Sequence, residues 1–331
     1  MMGKNQLIVF PTLFLLIFIT FLLSVSIGTV KFPISDIIKS IFYRSDTLEI
    51  STIINQIRLP RVILSLLVGA SLGGAGTVFQ SLFRNPMADA YIIGISSGSA
   101  LGAVLAIAFR LRFYILGFSP IPLFAFIGGI STVFLVYAIS SRGRHNQMLN
   151  LLLSGLAINS FLSSVMSFLL LMNDTSLHES IYWLMGGFSG RGWEHIRIVL
   201  PYFVISILIL LLFTRELNIL LLGDEQAKNL GVNVEQVRRV IIIFTSLLTA
   251  SAVSVSGVIG FVGLVVPHIL RLLMGPDNRT LFPASLLGGA ILLTLSDLIA
   301  RIALSPSEIP VGIVTSLIGA PFFLSLLVKR G

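Results

Sequence analysis

The sequence contains no cysteine in 331 residues, and only 11% of its side chains are charged. The first absence excludes disulfides, thiolate metal sites and cysteine nucleophiles. The second sits well below the ~25% charge of soluble domains. Catalytic signatures are lacking too: there is no G-x-x-x-x-G-K-[ST] and no H-E-x-x-H. If the chain's work costs ATP, another chain hydrolyses it. Acids are also scarce, 14 against 22 lysines and arginines. On so apolar a chain the net charge of +8 argues for flanks facing anionic membrane lipid, not nucleic acid.

What is present is hydrophobic, 55% of residues with a mean hydropathy of +1.00. It comes in long runs, not the alternating ten-residue segments of a barrel. The expected fold class is an all-α polytopic membrane protein, a single transmembrane domain over 1–331. Uncharged spans are read at 7–28, 62–83, 91–109, 120–140, 148–172 and 198–214. The first is too long for a signal peptide and no small-x-small cleavage site follows it. Residues 31–57 read as an external interfacial segment, and 176–195, with Trp183 and Trp193, as an external re-entrant or interfacial helix.

Residues 240–270 are free of charge over 31 positions. A straight helix of that length would measure roughly 46 Å against a hydrocarbon core of about 30 Å. Two segments are therefore expected, broken near 257–263 with Pro267 just beyond. Spans at 281–300 and 309–328 bring the total to ten transmembrane helices, with both termini on one side. Short basic loops such as SSRGRHNQ favour the cytoplasm for that side. Arg58, Arg61, Arg191 and Arg301 then fall outside and want a reason of their own.

The longest polar interruption of the second half is 217–239, LNILLLGDEQAKNLGVNVEQVRR. Asp224 is suited to cap a helix over 225–230, with acids where the helix dipole favours them. Gly231 stands where a left-handed residue would stop that helix. Asn233 with Gln236 fits a capping box for the next one. The result is a short capped helix outside the bilayer, either a connector or a surface for touching something.

Small residues crowd the spans. Gly69-x-x-x-Gly73 and Gly94-x-x-x-Gly98-x-x-x-Gly102 let backbones approach where lipid gives no hydrophobic drive between helices. Arg84-Asn85-Pro86-Met87-Ala88-Asp89 reads as a rigid polar turn. Asp297 lies inside a span with Arg301 one turn later, which suggests a structural ion pair. An intramembrane acid also raises the alternative of an ion-coupled secondary transporter, but no inverted repeat and no further buried acid accompanies it. His145, His178, His195 and His268 share no metal-ligand spacing, and Met166, Met172 and Met185 read as core or loop residues. No metal site and no cofactor bound by this chain is expected.

Several long stretches resemble a known family: 58–102 (RLPRVILSLLVGASLGGAGTVFQSLFRNPMADAYIIGISSGSALG), 257–279 (GVIGFVGLVVPHILRLLMGPDNR), 296–303 (SDLIARIA) and 309–327. They are similar to the permeases of ABC importers for iron–siderophore, haem and cobalamin, in the same order and over nearly the whole chain. The resemblance implies a non-catalytic permease in the cytoplasmic membrane. It implies a dimer of itself or with a paralogue, two separate ABC ATPase subunits that hold ATP and magnesium, and an external solute-binding protein. It assigns ATPase coupling to the loop around Asp224, Glu225, Gln226, Ala227, Leu230 and Gly231, whose E-x-A-x-x-x-G spacing is similar to that of coupling loops. Docking of the binding protein is implied for Arg58, Arg61 and Arg301, and a cytoplasmic gate for Asn85, Met87, Gln147 and Met148. IIGISSGSALG looks more like the iron-chelate and haem members than the cobalamin ones.

Overall fold

The computed structural model describes residues 4–28, 33, 48–114, 119–142 and 147–328. Among these residues there is no strand. Seven helices are long and apolar enough to cross a bilayer, and three shorter apolar ones join them. Among the described residues seven of the ten expected spans thus coincide with helices of crossing length, and shorter apolar helices stand at the other three places.

Helix α1 (Lys4–Ser26) is followed, beyond residues outside the described set, by α2 (Leu48–Thr52) and a π-helical turn (Ile53–Arg58). That turn runs directly into α3 (Leu59–Leu82). The described part of the expected interfacial segment, 48–57, is therefore a helical extension of α3; most of the remainder lies outside the described residues. Next come α4 (Ile95–Ala108), α5 (Pro120–Ser140), α6 (Gln147–Met172), α7 (Asp174–Leu184) and α8 (Trp193–Leu212). Two short helices follow, α9 (Thr214–Leu221) and α10 (Asp224–Asn229). Then α11 (Val234–Ser256), α12 (Val262–Met274), α13 (Asn278–Ile302) and α14 (Val311–Val328) complete the order.

Helix α3 is the axis of the bundle, buried along nearly its whole length, whereas only Leu151 and Gly155 of α6 are buried. Its tightest neighbour is α13. A methyl group on Gly69 would strike the carbonyl oxygen of Gly289, and one on Gly73 that of Ser285. On the other side Gly98 and Gly102 of α4 lie against the backbone of Gly128 and Phe124 in α5. The small-residue spacings thus act as expected, as contact faces between backbones. Gly94 does not belong to the helical run: at φ +90 it precedes α4, so the span expected at 91–109 shortens to 95–108.

The break in 240–270 occurs at Gly257 to Phe261, where φ is +72 and +70 at the two ends. Unwound backbone at this depth must find partners inside the protein. The Tyr91 hydroxyl supplies two, donating to the Ile259 carbonyl (2.9 Å) and accepting from the Ile259 amide (3.2 Å). Ser256 contributes its carbonyl to the Gly187 amide at 2.7 Å, and Gly186 its own to Val311 at 2.9 Å. The segment between α7 and α8 is thereby fastened to both the break and α14. Trp193, at the start of α8, donates its indole N–H to the Asn55 carbonyl at 2.9 Å.

Candidate functional site

Polar groups gather at the two ends of the bundle. At the end where α3 finishes, the chain turns through Arg84, which adopts φ +50. The Arg84 amide bonds the Ser81 carbonyl (3.2 Å) and the Asn85 amide that of Gln80 (3.0 Å), so Arg84 is the left-handed residue of a helix stop usually given to glycine. The turn then closes as its Asn-Pro sequence suggests. Asn85 Oδ1 accepts from the Met87 amide at 2.9 Å, and the Asn85 carbonyl from Ala88 at 3.0 Å.

Helix α10 stands beside this turn. Gly231 adopts φ +81, with its amide on Lys228 (2.9 Å) and the Val232 amide reaching Ala227 (3.0 Å), a complete glycine stop. Asn233 Oδ1 accepts from the Gln236 amide at 3.2 Å and starts α11. Asp224 corrects its expected role: the N-cap position belongs to Gly223, and the Asp224 carboxylate is drawn elsewhere. One oxygen meets Arg84 Nη2 and the other meets Arg238 Nη2 at 2.8 Å. Arg84 also donates from Nε to the Leu220 carbonyl (2.8 Å), and Arg238 from Nη1 to Gln147 Oε1 at 3.0 Å. Burial alone would push the Asp224 carboxyl up; the hydrogen bond and charge of Arg238, then those of Arg84, outweigh it and hold the group below the usual carboxylate range.

A single carboxylate therefore joins α10 to the 84–88 turn, to α11 and, through Arg238, to the first residue of α6. A neutral network runs alongside. Asn218 of α9 accepts from the Asn278 amide and side chain (2.8 and 2.9 Å), and Ser81 donates to Asn278 Oδ1 at 2.8 Å. Within α10 only Ala227 is buried, packed with Leu217, Leu220 and Val234. Glu225, Gln226 and Leu230 face outward.

The opposite end, where α3 begins, holds a deeper cluster. Arg61 donates from Nη2 to Asp297 Oδ1 (2.8 Å) and from Nη1 to Glu308 Oε1 (2.8 Å). Arg301 Nε lies 3.3 Å from Asp297 Oδ2, and its Nη2 donates to the Ser24 carbonyl at 2.9 Å. Arg58 donates to the carbonyls of Val25 (2.9 Å) and Ser26 (3.1 Å). Asp297 is fully buried, whereas Glu308 keeps 29% of its side chain exposed. Beside this cluster a pocket of about 630 Å³ opens between Arg61, Arg191, Trp193 and Arg197.

Residues 15–329 match the FecCD transport family. The chain belongs to that family. It is 46% identical to the cobalamin import permease BtuC of Halobacterium salinarum over 84% of this chain and 74% of that one. It is 38% identical to the iron(3+)-hydroxamate import permease FhuG of Bacillus subtilis over 98% of both. A structure of a metal-chelate type ABC transporter in an inward-facing conformation superposes with a TM-score of 0.85 at 36% identity, covering 97% of this chain and 99% of the other. The protein is thus a multi-pass permease subunit of an ABC importer, and the ion-coupled alternative falls away.

Within this permease, the residues expected at the coupling loop lie on α10 and on the stop that follows it, and Asn85, Met87 and Gln147 lie around the charge that anchors it. Met148 follows Gln147 at the start of α6. The three arginines expected to dock a partner converge on the opposite end, all of them turned inward and engaged with their own chain. The Asp297–Arg301 pair expected from helical spacing is present, but Arg61 holds Asp297 more closely. Sequence reasoning missed Arg84 and Arg238 as partners of Asp224, and Glu308 altogether. A left-handed arginine gives no local signal, and Glu308 lies 247 positions from the arginine it meets.

Proposed function

We propose that this permease carries metal chelates inward across the cytoplasmic membrane, iron–siderophore complexes first, with both termini in the cytoplasm. It works as a dimer of itself or with a paralogue, and it binds no cofactor. Two ATPase subunits, which hold the ATP and magnesium, seat on the outward-facing side of α10 through Glu225, Gln226, Leu230 and Gly231. An external binding protein presents carboxylates to the Arg58, Arg61 and Arg301 end. Glu308 is the most exposed acid of that cluster, so an incoming carboxylate would exchange with it on Arg61.

The observation that carries this reading is the position of Asp224. A push on α10 is a push on Asp224, and through it on the two segments proposed as the cytoplasmic gate: Asn85 and Met87 in the turn after Arg84, Gln147 and Met148 behind Arg238. Such a joint switches the permease only if its contacts differ between the two states. The relatives support both an iron chelate and, as the second reading, cobalamin, the substrate named for the 46%-identical permease. The test is uptake by vesicles carrying the assembled transporter, with radiolabelled iron–siderophore and cobalamin supplied separately through the cognate binding protein. ATP-dependent accumulation of cobalamin alone would select the second reading, and accumulation of neither would overturn the first.

A further inference from the structure

Arg238 and Arg239 are neighbours in α11 that face opposite ways: the first is buried in the clasp around Asp224, the second exposed on the bundle's flank. Arg239 stands at the mouth of a groove of about 220 Å³ between α5 and α11. Its walls include Ile130, Phe134, Ile243 and Leu247, and Tyr137 lies against the guanidinium at the same mouth. Phe134 and Ile243 are 62% and 41% exposed, so the groove opens away from the protein core.

We propose that this groove binds one phospholipid with an anionic headgroup, its phosphate held by Arg239 and Tyr137 and one acyl chain laid along the walls. The dimensions suit that occupant. From 239 to 247 a helix rises about 12 Å, close to the ~15 Å depth of one leaflet's hydrocarbon. A guanidinium and a phenol at the mouth, with aliphatic and aromatic walls below, match the order of phosphate, glycerol and chain in a lipid. Basic recesses between transmembrane helices select headgroups in this manner. Arg142, exposed just past the end of α5, adds positive charge at the same end. Glu235, one turn before Arg239, is the acid facing it and tempers the field. The site is independent of the cargo and of the ATPase contact.

The test presents the purified permease with nanodiscs of equal phosphatidylglycerol and phosphatidylcholine and counts retained lipid by native mass spectrometry. The wild type is expected to keep phosphatidylglycerol several-fold over phosphatidylcholine. Arg239→Gln should erase that preference while total retention persists, and Ile243→Trp, which fills the groove, should lower the total. Equal retention of the two lipids by the wild type overturns the proposal, as does an undiminished preference in Arg239→Gln. The cysteine-free background supplies a second measurement that does not depend on the tryptophan variant folding. Ile243→Cys in membranes should react with a lipid-soluble maleimide. Its cross-linking to a second copy at that position would show that protein covers the groove, and would overturn the proposal.

Discussion

The two ends of the bundle hold charge in opposite manners. The Arg61 end sequesters Asp297 completely and surrounds it with guanidinium groups that are themselves buried. At the α10 end, Asp224 and Arg84 keep about two fifths of their side chains in solvent, and only Arg238 is enclosed. Burial decides what each cluster is worth. Breaking a buried pair leaves an unmatched charge at about 3–5 kcal/mol, whereas an exposed pair contributes ~0–1 kcal/mol. The first is fit to stay closed, the second to open and re-form.

The largest test of that contrast is Asp297→Leu, which leaves Arg301 without its ion-pair partner and Arg61 with Glu308 alone. Destabilisation of about 3–5 kcal/mol is expected in thermal unfolding of the purified permease. Partial recovery on adding Arg301→Leu would tie the loss to the stranded charge, and a change below ~1 kcal/mol would erase the difference between the ends. Next comes Gly231→Val. The site has room for a side chain, but φ +81 imposes roughly 1–2 kcal/mol or more of strain. Transport should fall while the permease stays folded and assembled; normal transport would show that the stop is dispensable.

Smaller still in stability, though not in function, is Arg84→Gly. It suits the left-handed backbone at that position and removes the side chain's bonds to Asp224 and to the Leu220 carbonyl. Unfolding should shift by less than ~1 kcal/mol, while substrate moved per ATP hydrolysed drops several-fold in the assembled transporter. An unchanged ratio in both this variant and Asp224→Asn would dismiss the clasp as a joint. The smallest effect expected is that of pH. Asp224 is held below its ordinary value, so its contribution is complete above the unfolded carboxylate's pKa and disappears only as pH falls through the lower folded one. The melting difference between wild type and Asp224→Asn should stay flat from about pH 8 to 5 and shrink under more acid conditions. A difference that changes near neutrality would locate the relevant proton elsewhere.

What the sequence made legible was local. The Gly231 stop, the Asn233 cap, the break before Pro267 and the small-residue faces each follow from residues within a turn or two of one another. The clasp and the buried cluster depend on pairs 140 and 236 positions apart, which no periodicity announces. Asp224 shows how the two scales compete. Its position favoured a cap, but two guanidinium groups, one from the next helix and one 140 positions away, offered full charges where the helix terminus offered partial ones. The partner-facing roles given to residues at both ends came from resemblance; apart from the Asp297–Arg301 pair, what they touch could come only from the fold.

Ala227 is the one residue of α10 withdrawn from solvent, and its small side chain plugs the element into the bundle. With Asp224 held by Arg84 and Arg238, the other four of the six positions are uncommitted to the permease interior and free to diverge. In the proposed assembly the partner-facing surface can be rewritten to suit a different ATPase while the anchor stays fixed. That is a modular design, in which matched subunits exchange a connector without redesigning the channel behind it.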